Sequence, residues 1–441
     1  MYEIKTMEEQ IMKAEIISIS SDLLQGKTQD QNVAFLGREL STLGMDVRKS
    51  TMIKDDPDVL KATIEQAETQ SDFLVLLGGL GPDENDITKQ TLSAYLDLPL
   101  VLDQPTEDKI ITYHQNSNFV MPDSNQLQAL ILHDSVAVRN VTGLAVGFFL
   151  KKDKHSYLLL PGPFDEMKPT FLEEAKPIIE EKLLTGSYVE TRILRLFGIS
   201  EVELIKKLTS FDANNVVIYP IDEEIEIQIT IHAKDKERAV EEADKLKDDV
   251  HDLVREYVFA EESKTLLATV KELLTDEGLM ITAAESLTGG QLMSDLSSLQ
   301  EASMIFNGGM VTYSNDVKNQ NLGVTKKTIE QHGVVSAQCA FEMAEKVRGK
   351  FNVDIGVSLT GVAGPSSLEG EIPGTVWLGI AKKGEETFAK KYHFAYKRNK
   401  NRQLSVATTL DMVRRVVLGE TFEGIVTRET VEDNKKKEEL K

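Results

Sequence analysis

The stretch Ala284-Glu285-Ser286-Leu287-Thr288-Gly289-Gly290, with Tyr313 and Lys318 downstream, holds the residue types of a nucleophilic hydrolase. A serine hydroxyl attacks well only when a neighbouring base takes its proton, and an amine is one group that can serve. The oxyanion formed on attack needs preorganised donors, which backbone N–H groups near Thr288, Gly289 and Gly290 would supply at a strand-to-helix turn. Each piece also has a plainer reading. Serines at such turns commonly cap helices. A single Lys318 is usually a solvated charge, Tyr313 a half-buried strand residue, and Thr360-Gly361-Val362-Ala363-Gly364-Pro365 a turn. The chemical reading gains from their concentration in one stretch of the chain.

The elements that must position these groups follow from periodicity. The apolar run Leu279-Met280-Ile281 leads as a strand into Glu285-Ser286, and Leu292, Leu296 and Leu299 keep helical spacing. Ser286 is therefore expected where the first free N–H groups of a helix point. A helix over 264–275, closed by Gly278, precedes this strand. Ser336 is placed to cap a helix over 337–351, with Cys339 as a small core residue. A buried strand over 355–359 runs into Thr360, and a hairpin over 376–381 and 387–394 turns at Lys383-Gly384. A last helix over about 399–417 carries Arg402, with Arg398 one turn earlier. The two arginines share a face if that helix starts early enough.

With 441 residues the chain has room for about three domains. The formal charge of −22 disfavours broad binding to nucleic acid or anionic membrane, both of which start from excess Lys and Arg. One cysteine permits neither an internal disulfide nor a cysteine-based zinc cluster, and the seven histidines show no ligand spacing. No apolar run approaches the ~20 residues that span a bilayer, and the charged start lacks a signal core, so a cytoplasmic protein is expected. Upstream, strands over 14–20, 45–53 and 73–77 alternate with helices over 32–43 and 57–67, which predicts a parallel sheet with helices on both faces. The third strand ends at Gly78-Gly79-Leu80-Gly81-Pro82, where a phosphate could approach the backbone and Asp83, Glu84 and Asp86 could hold a metal; a tight turn with an acidic rim is the plainer alternative.

Residues 14–170 resemble the N-terminal domain of the CinA (competence/damage-inducible) family, which is related to molybdopterin-binding domains. The motifs are Ala14-Glu15-Ile16-Ile17, Gly78-Gly79-Leu80-Gly81-Pro82 with Asp86-Ile87-Thr88, Asn125-Gln126 with Gln128-Ala129, and Leu160-Pro161-Gly162-Pro163 with Glu166. In some members this domain is an ADP-ribose pyrophosphatase that uses a divalent metal. The resemblance implies a site around Asp22, Gly78, Gly79, Gly81, Asp86 and Asn125. Departures from the pattern include Ser20-Ser21-Asp22 and Asn85, the latter removing a negative charge, so this site is expected to be weakened or lost. Residues 171–188 read as a connecting helix. Residues 189–258 resemble the family's KH-like middle domain, with a capping box at Ser200-Glu201-Val202-Glu203 and a half-buried strand alternating at Ile225, Ile227 and Ile229. The segment lacks a Gly-x-x-Gly clamp and is acidic, so it reads as a spacer or dimerisation unit, not an RNA reader.

Residues 262–423 resemble the family's C-terminal nicotinamide mononucleotide (NMN) deamidase domain, and 424–441 are expected as a charged tail, mobile beyond Thr427. The matching motifs are Ala284 to Gly290, Tyr313-Ser314-Asn315 with Lys318, Gly333 with Val335-Ser336, Thr360-Gly361 with Ala363-Gly364-Pro365, Gly374-Thr375-Val376, and Arg398 with Arg402; Leu287 stands where many members have Cys. The implied fold class is α/β and multidomain: a doubly wound molybdopterin-binding-like domain, a small α+β KH-like domain and an α/β amidohydrolase domain. The implied activity is hydrolysis of NMN to nicotinic acid mononucleotide and ammonia, with Ser286 as nucleophile, Lys318 as base and Tyr313 relaying a proton or fixing the lysine. Glu285, Thr288, Gly289, Gly290, Thr360, Gly361 and Gly364 would line the substrate, and Arg398 and Arg402 would meet its 5′-phosphate. Whether Glu285 touches substrate or holds the turn is open at this level. The deamidase needs no metal or cofactor, and a homodimer is implied. The alternatives are an accessory protein in competence acting through protein partners, and pyrophosphatase activity in the first domain.

Overall fold

The computed structural model describes residues 12–117, 122–184, 188–213, 215–421, 423–428 and 430. The chain divides into two compact units, 1–191 with 230–243, and 192–229 with 244–441.

The first unit is built on a six-stranded sheet in the order Asp46–Ile53, Lys13–Ile19, Phe73–Leu77, His155–Leu160, Gly147–Lys152, Val136–Val138. The first four strands are parallel, as the alternation of strands and helices predicts. Gly147–Lys152 runs antiparallel to both of its neighbours, so the sheet is mixed. The cause is local: Asp153, at φ 55°, lies in a tight turn from Lys152 to His155, and so short a link can only reverse the chain. Phe73–Leu77 is buried throughout and ends at Gly78, whose φ of 91° and 2.7 Å spacing from a hypothetical Cβ to the Ile19 carbonyl oxygen demand glycine. Helices Gln31–Thr42 and Pro57–Ala67 are capped by the side chains of Asp30 and Asp56.

The helical stretch Phe164–Thr170, Phe171–Ala175 and Lys176–Lys182 widens to a π turn in the middle, where Pro169 and Pro177 remove amide donors. Phe171, Ala175 and Ile179 are fully buried in the first domain's core. The segment expected to connect two domains over 171–188 is thus packed into the first as far as Lys182, and residues 185–187 lie outside the described residues.

The KH-like sheet has the order Val216–Ile221, Glu224–Ala233, Tyr188–Leu196, Val258–Ala260. Both halves of the capping box at Ser200 and Glu203 form. The strand expected to be half-buried is covered on both faces, because Glu226 and Gln228 are buried as well as the isoleucines. Arg195 pairs with Glu226 at 3.1 Å and with Glu224, while Glu224 also accepts the Leu266 N–H at 2.9 Å. The polar face is therefore closed by an ion cluster and by the start of helix Leu266–Asp276.

The C-terminal sheet follows the order Met310–Val311, Ile281–Glu285, Ile355–Gly361, Thr375–Lys382, Phe388–His393, Ile425–Thr427. Its first three strands are parallel and the remainder antiparallel. Helices Leu266–Asp276 and Arg398–Val417 share one core with the sheet, and Ala337–Phe351 buries Cys339, Met343 and Val347 in another. Strand Ile425–Thr427 extends the ordered domain into the segment expected as tail; residues 431–441 lie outside the described residues. Ser286 and Thr360 stand together at the carboxyl ends of the paired parallel strands, where Glu285 registers with Leu359.

Candidate active site

Ser286 leaves its strand with its own N–H still bonded to the Leu359 carbonyl at 2.9 Å. Lys318 reaches it from the π-helical turn Val317–Leu322. That turn is fixed by sequence-local contacts: Ser314 accepts the Val317 N–H through its hydroxyl and the Lys318 N–H through its carbonyl. At the far end Gly323, at φ 94°, and Val324 both donate to the Lys318 carbonyl, at 3.0 and 2.9 Å. The spacing Ser314 to Lys318 to Gly323 therefore sets the lysine's backbone before any tertiary contact.

The Lys318 Nζ donates to Ser286 Oγ at 2.9 Å and to the Thr312 carbonyl at 2.7 Å. Lys318 is 1% exposed and Ser286 8%. Burial pushes the lysine's pKa below its ordinary value, because an ammonium loses its hydration there; the Glu369 carboxylate acts in the opposite direction. The neutral amine can then accept the serine proton along the same 2.9 Å line. Cys339 itself is pushed up to about 12 by burial, so it is a protonated thiol at neutral pH and remains a core residue.

Glu285 is fully buried, and its carboxylate accepts the N–H groups of Gly290, Leu292 and Met293 at 3.0, 3.2 and 2.8 Å. It closes the N-terminus of helix Gln291–Ser297, so of the donors expected for an oxyanion the Gly290 N–H is engaged. The serine turn supplies others. Gly289 N–H closes a turn onto the Ser286 carbonyl at 3.2 Å, and Gly289 and Gly290 both take positive φ, 65° and 96°. The N–H groups of Leu287 and Thr288 have no partner among the described residues. Leu287, next to Ser286, keeps 5% exposure and Thr288 none.

The remaining predicted residues frame this centre. The Thr360 hydroxyl donates to the Val334 carbonyl at 2.6 Å, and a Cβ at Gly361 would meet the Thr375 carbonyl oxygen at 2.5 Å. Helix Arg398–Val417 starts early enough to carry both arginines. Arg398 donates to the Gly364 carbonyl at 2.8 Å and to the Tyr313 hydroxyl at 3.1 Å; Arg402 donates to the Leu287 and Thr288 carbonyls. Tyr313 is 62% exposed, not half-buried, and bonds to neither Ser286 nor Lys318. Three contributors have no signal in the motifs: the Thr312 carbonyl; Asn401, fully buried and bonded to Ala363 and Tyr396; and Glu369, which accepts the Val334 and Val335 N–H groups.

In the first domain a cleft of about 1500 Å³ is lined by Asp22, Gly78, Gly79, Gly81 and Asp86, together with Glu166. Asn125 does not line it and meets His114 Nε2 at 2.7 Å. The carboxylates are dispersed and engaged: Asp22 pairs with Lys27, Asp86 accepts the Asp83 N–H, and Glu166 accepts from Asn140. Among the described residues no three of Asp, Glu, His or Cys converge as a ready-made metal cage.

Comparison with known proteins covers all three parts. Residues 15–181 match a probable molybdopterin binding domain, 191–260 the damage-inducible protein CinA KH domain, and 263–417 the CinA C-terminal domain. A competence-damage inducible protein of Listeria monocytogenes is 40% identical over 91% of this chain and 98% of its own. One from Bacillus subtilis is 37% identical over 87% and 93%. The solved competence or damage-inducible protein of Enterobacter asburiae is 30% identical, covering 35% of this chain and 99% of its own, at TM-score 0.34. Among the described residues no helix is long and apolar enough to cross a membrane. With three consecutive domains and full-length relatives in agreement, the chain belongs to the CinA family of competence-damage inducible proteins.

Proposed function

We propose that the C-terminal domain hydrolyses the carboxamide of NMN, giving nicotinic acid mononucleotide and ammonia. The observation that carries this reading is the buried 2.9 Å contact between Lys318 Nζ and Ser286 Oγ. Neutral Lys318 takes the hydroxyl proton as Ser286 Oγ bonds to the amide carbon, and the Leu287 N–H receives the developing oxyanion. The lysine ammonium then gives that proton to the departing nitrogen, releasing ammonia and leaving an acyl ester on Ser286. Water attacks the ester with Lys318 again as base, and the proton returns to the serine. The base is an amine already in contact with the nucleophile, so the sequence of steps calls for no metal. The exposed guanidinium of Arg398 gives this part of an acidic protein a positive charge that suits a nucleotide phosphate.

Ammonia release from NMN tests the reading. The wild-type protein is expected to turn over, and Ser286→Ala to be slower by on the order of 10⁴–10⁶-fold. An inactive wild type, or an equally fast alanine variant, would favour the accessory role in competence that the relatives' names suggest. The pH profile is a second check. Protonated Lys318 cannot act as base, so kcat/KM should rise with pH. Its midpoint should lie below that of a solvated lysine, because burial favours the neutral amine. A profile that falls with rising pH over this range would exclude the lysine as base.

A further inference from the structure

We propose that Arg402 is the positioning residue that holds the Ser286 turn in its reactive geometry, and not a ligand of the substrate's phosphate. The inference rests on Ser286 being the nucleophile. The turn runs from Ser286 to Gly289 and is closed by the Gly289 N–H on the Ser286 carbonyl at 3.2 Å. Both of its central carbonyls are taken by one guanidinium: Arg402 Nε donates to Leu287 at 3.1 Å and Nη2 to Thr288 at 2.7 Å. A trans peptide is planar, with its C=O and N–H pointing in opposite directions. Fixing the Leu287 carbonyl therefore aims the Thr288 N–H, and fixing the Thr288 carbonyl aims the Gly289 N–H, whose bond to the Ser286 carbonyl in turn aims the Leu287 N–H. The Leu287 and Thr288 carbonyls face the cation, and the Leu287 and Thr288 N–H groups stay unpartnered for an oxyanion.

The turn needs such a brace. It is followed by Gly289 and Gly290 at φ 65° and 96°, two residues whose backbone is intrinsically permissive and which have no side chain to pack. Arg402 sits on an element that is itself held fast. One turn in from the helix start, fully buried Asn401 bonds to the Ala363 and Tyr396 carbonyls and accepts the Tyr396 N–H. A planar fork with separated donors can bridge two neighbouring carbonyls, whereas a lysine ammonium is a single point.

The test uses full-length Arg402→Lys and Arg402→Met, with folding checked by thermal melting. NMN, its dephosphorylated riboside and p-nitrophenyl acetate are the substrates. With the ester, Ser286 Oγ bonds to the acetyl carbon, p-nitrophenolate leaves, and the serine proton passes to Lys318. A positioning role predicts that kcat falls by about 10²-fold for NMN and by the same factor for the riboside, with little change in KM. Acetylation of Ser286, read by mass, should slow in parallel. A loss confined to NMN and expressed in KM would make Arg402 a phosphate ligand and overturn the proposal. So would acetylation at the wild-type rate in folded Arg402→Lys. If wild type leaves both NMN and the riboside intact, the substrate assignment fails, and the acetylation rates still decide the role of Arg402.

Discussion

Lys318→Met is expected to reduce NMN turnover by on the order of 10⁴-fold or more while leaving the C-terminal domain folded. Methionine keeps an unbranched side chain of similar length but carries no base, so Ser286 retains its proton. The stability side follows from burial. Lys318 is 1% exposed and its pKa is lowered by desolvation, so the folded protein loses this proton at a lower pH than the unfolded chain. Between those two pKa values the unfolded state binds more protons, and wild-type stability should therefore rise with pH through that window. The methionine variant should lack this rise, because it has no group to titrate there. Denaturant melts of both proteins from neutral pH to the ordinary lysine range would measure the difference. Parallel pH dependences would mean that Lys318 is not held neutral by burial, and the proposed base would lose its physical basis.

Glu285→Ala should cost the C-terminal domain about 3–5 kcal/mol, a loss large enough to be visible in any unfolding measurement. The carboxylate is fully buried and is the partner of three backbone N–H groups, those of Gly290, Leu292 and Met293. Alanine would strand those donors at a helix N-terminus and leave the positive end of the helix dipole uncompensated. Glu285→Gln keeps the size and one acceptor but introduces an amide donor facing N–H groups, so about half of that loss is expected. Amide hydrogen exchange at Leu292 and Met293 should accelerate first. Wild-type stability combined with weakened NMN binding would instead place Glu285 against the substrate.

These expectations treat the active site as loops pinned to a few rigid points. Thr360 holds the Val334 carbonyl, Glu369 the Val334 and Val335 N–H groups, and the start of helix Arg398–Val417 holds Ala363, Gly364, Tyr396 and the serine turn. A group held in this way pays little reorganisation when charge develops beside it, which is where preorganised donors gain their effect.

Much of this was legible in the chain itself. The bounds of helices 57–67 and 337–351, the Ser336 cap, the buried strand 73–77 and the strand-to-turn placement of Ser286 follow from periodicity and capping chemistry, which act over a few residues. The motif around Ser314 likewise fixes the backbone of Lys318 locally. Tertiary structure alone decided who meets whom. Lys318 reaches Ser286 across 32 residues of sequence, and Arg402 reaches the serine turn across 114 and 115. Those distances are set by strand register and helix packing, which leave no periodic trace in the residues they join. The same holds for Glu285: its type suits substrate binding or capping equally, and only the burial of its carboxylate under three N–H groups selects the second. Arg398 and Arg402, expected at a phosphate, also donate to backbone carbonyls that the motifs do not announce, since a side chain's partner depends on which backbone the fold carries past it.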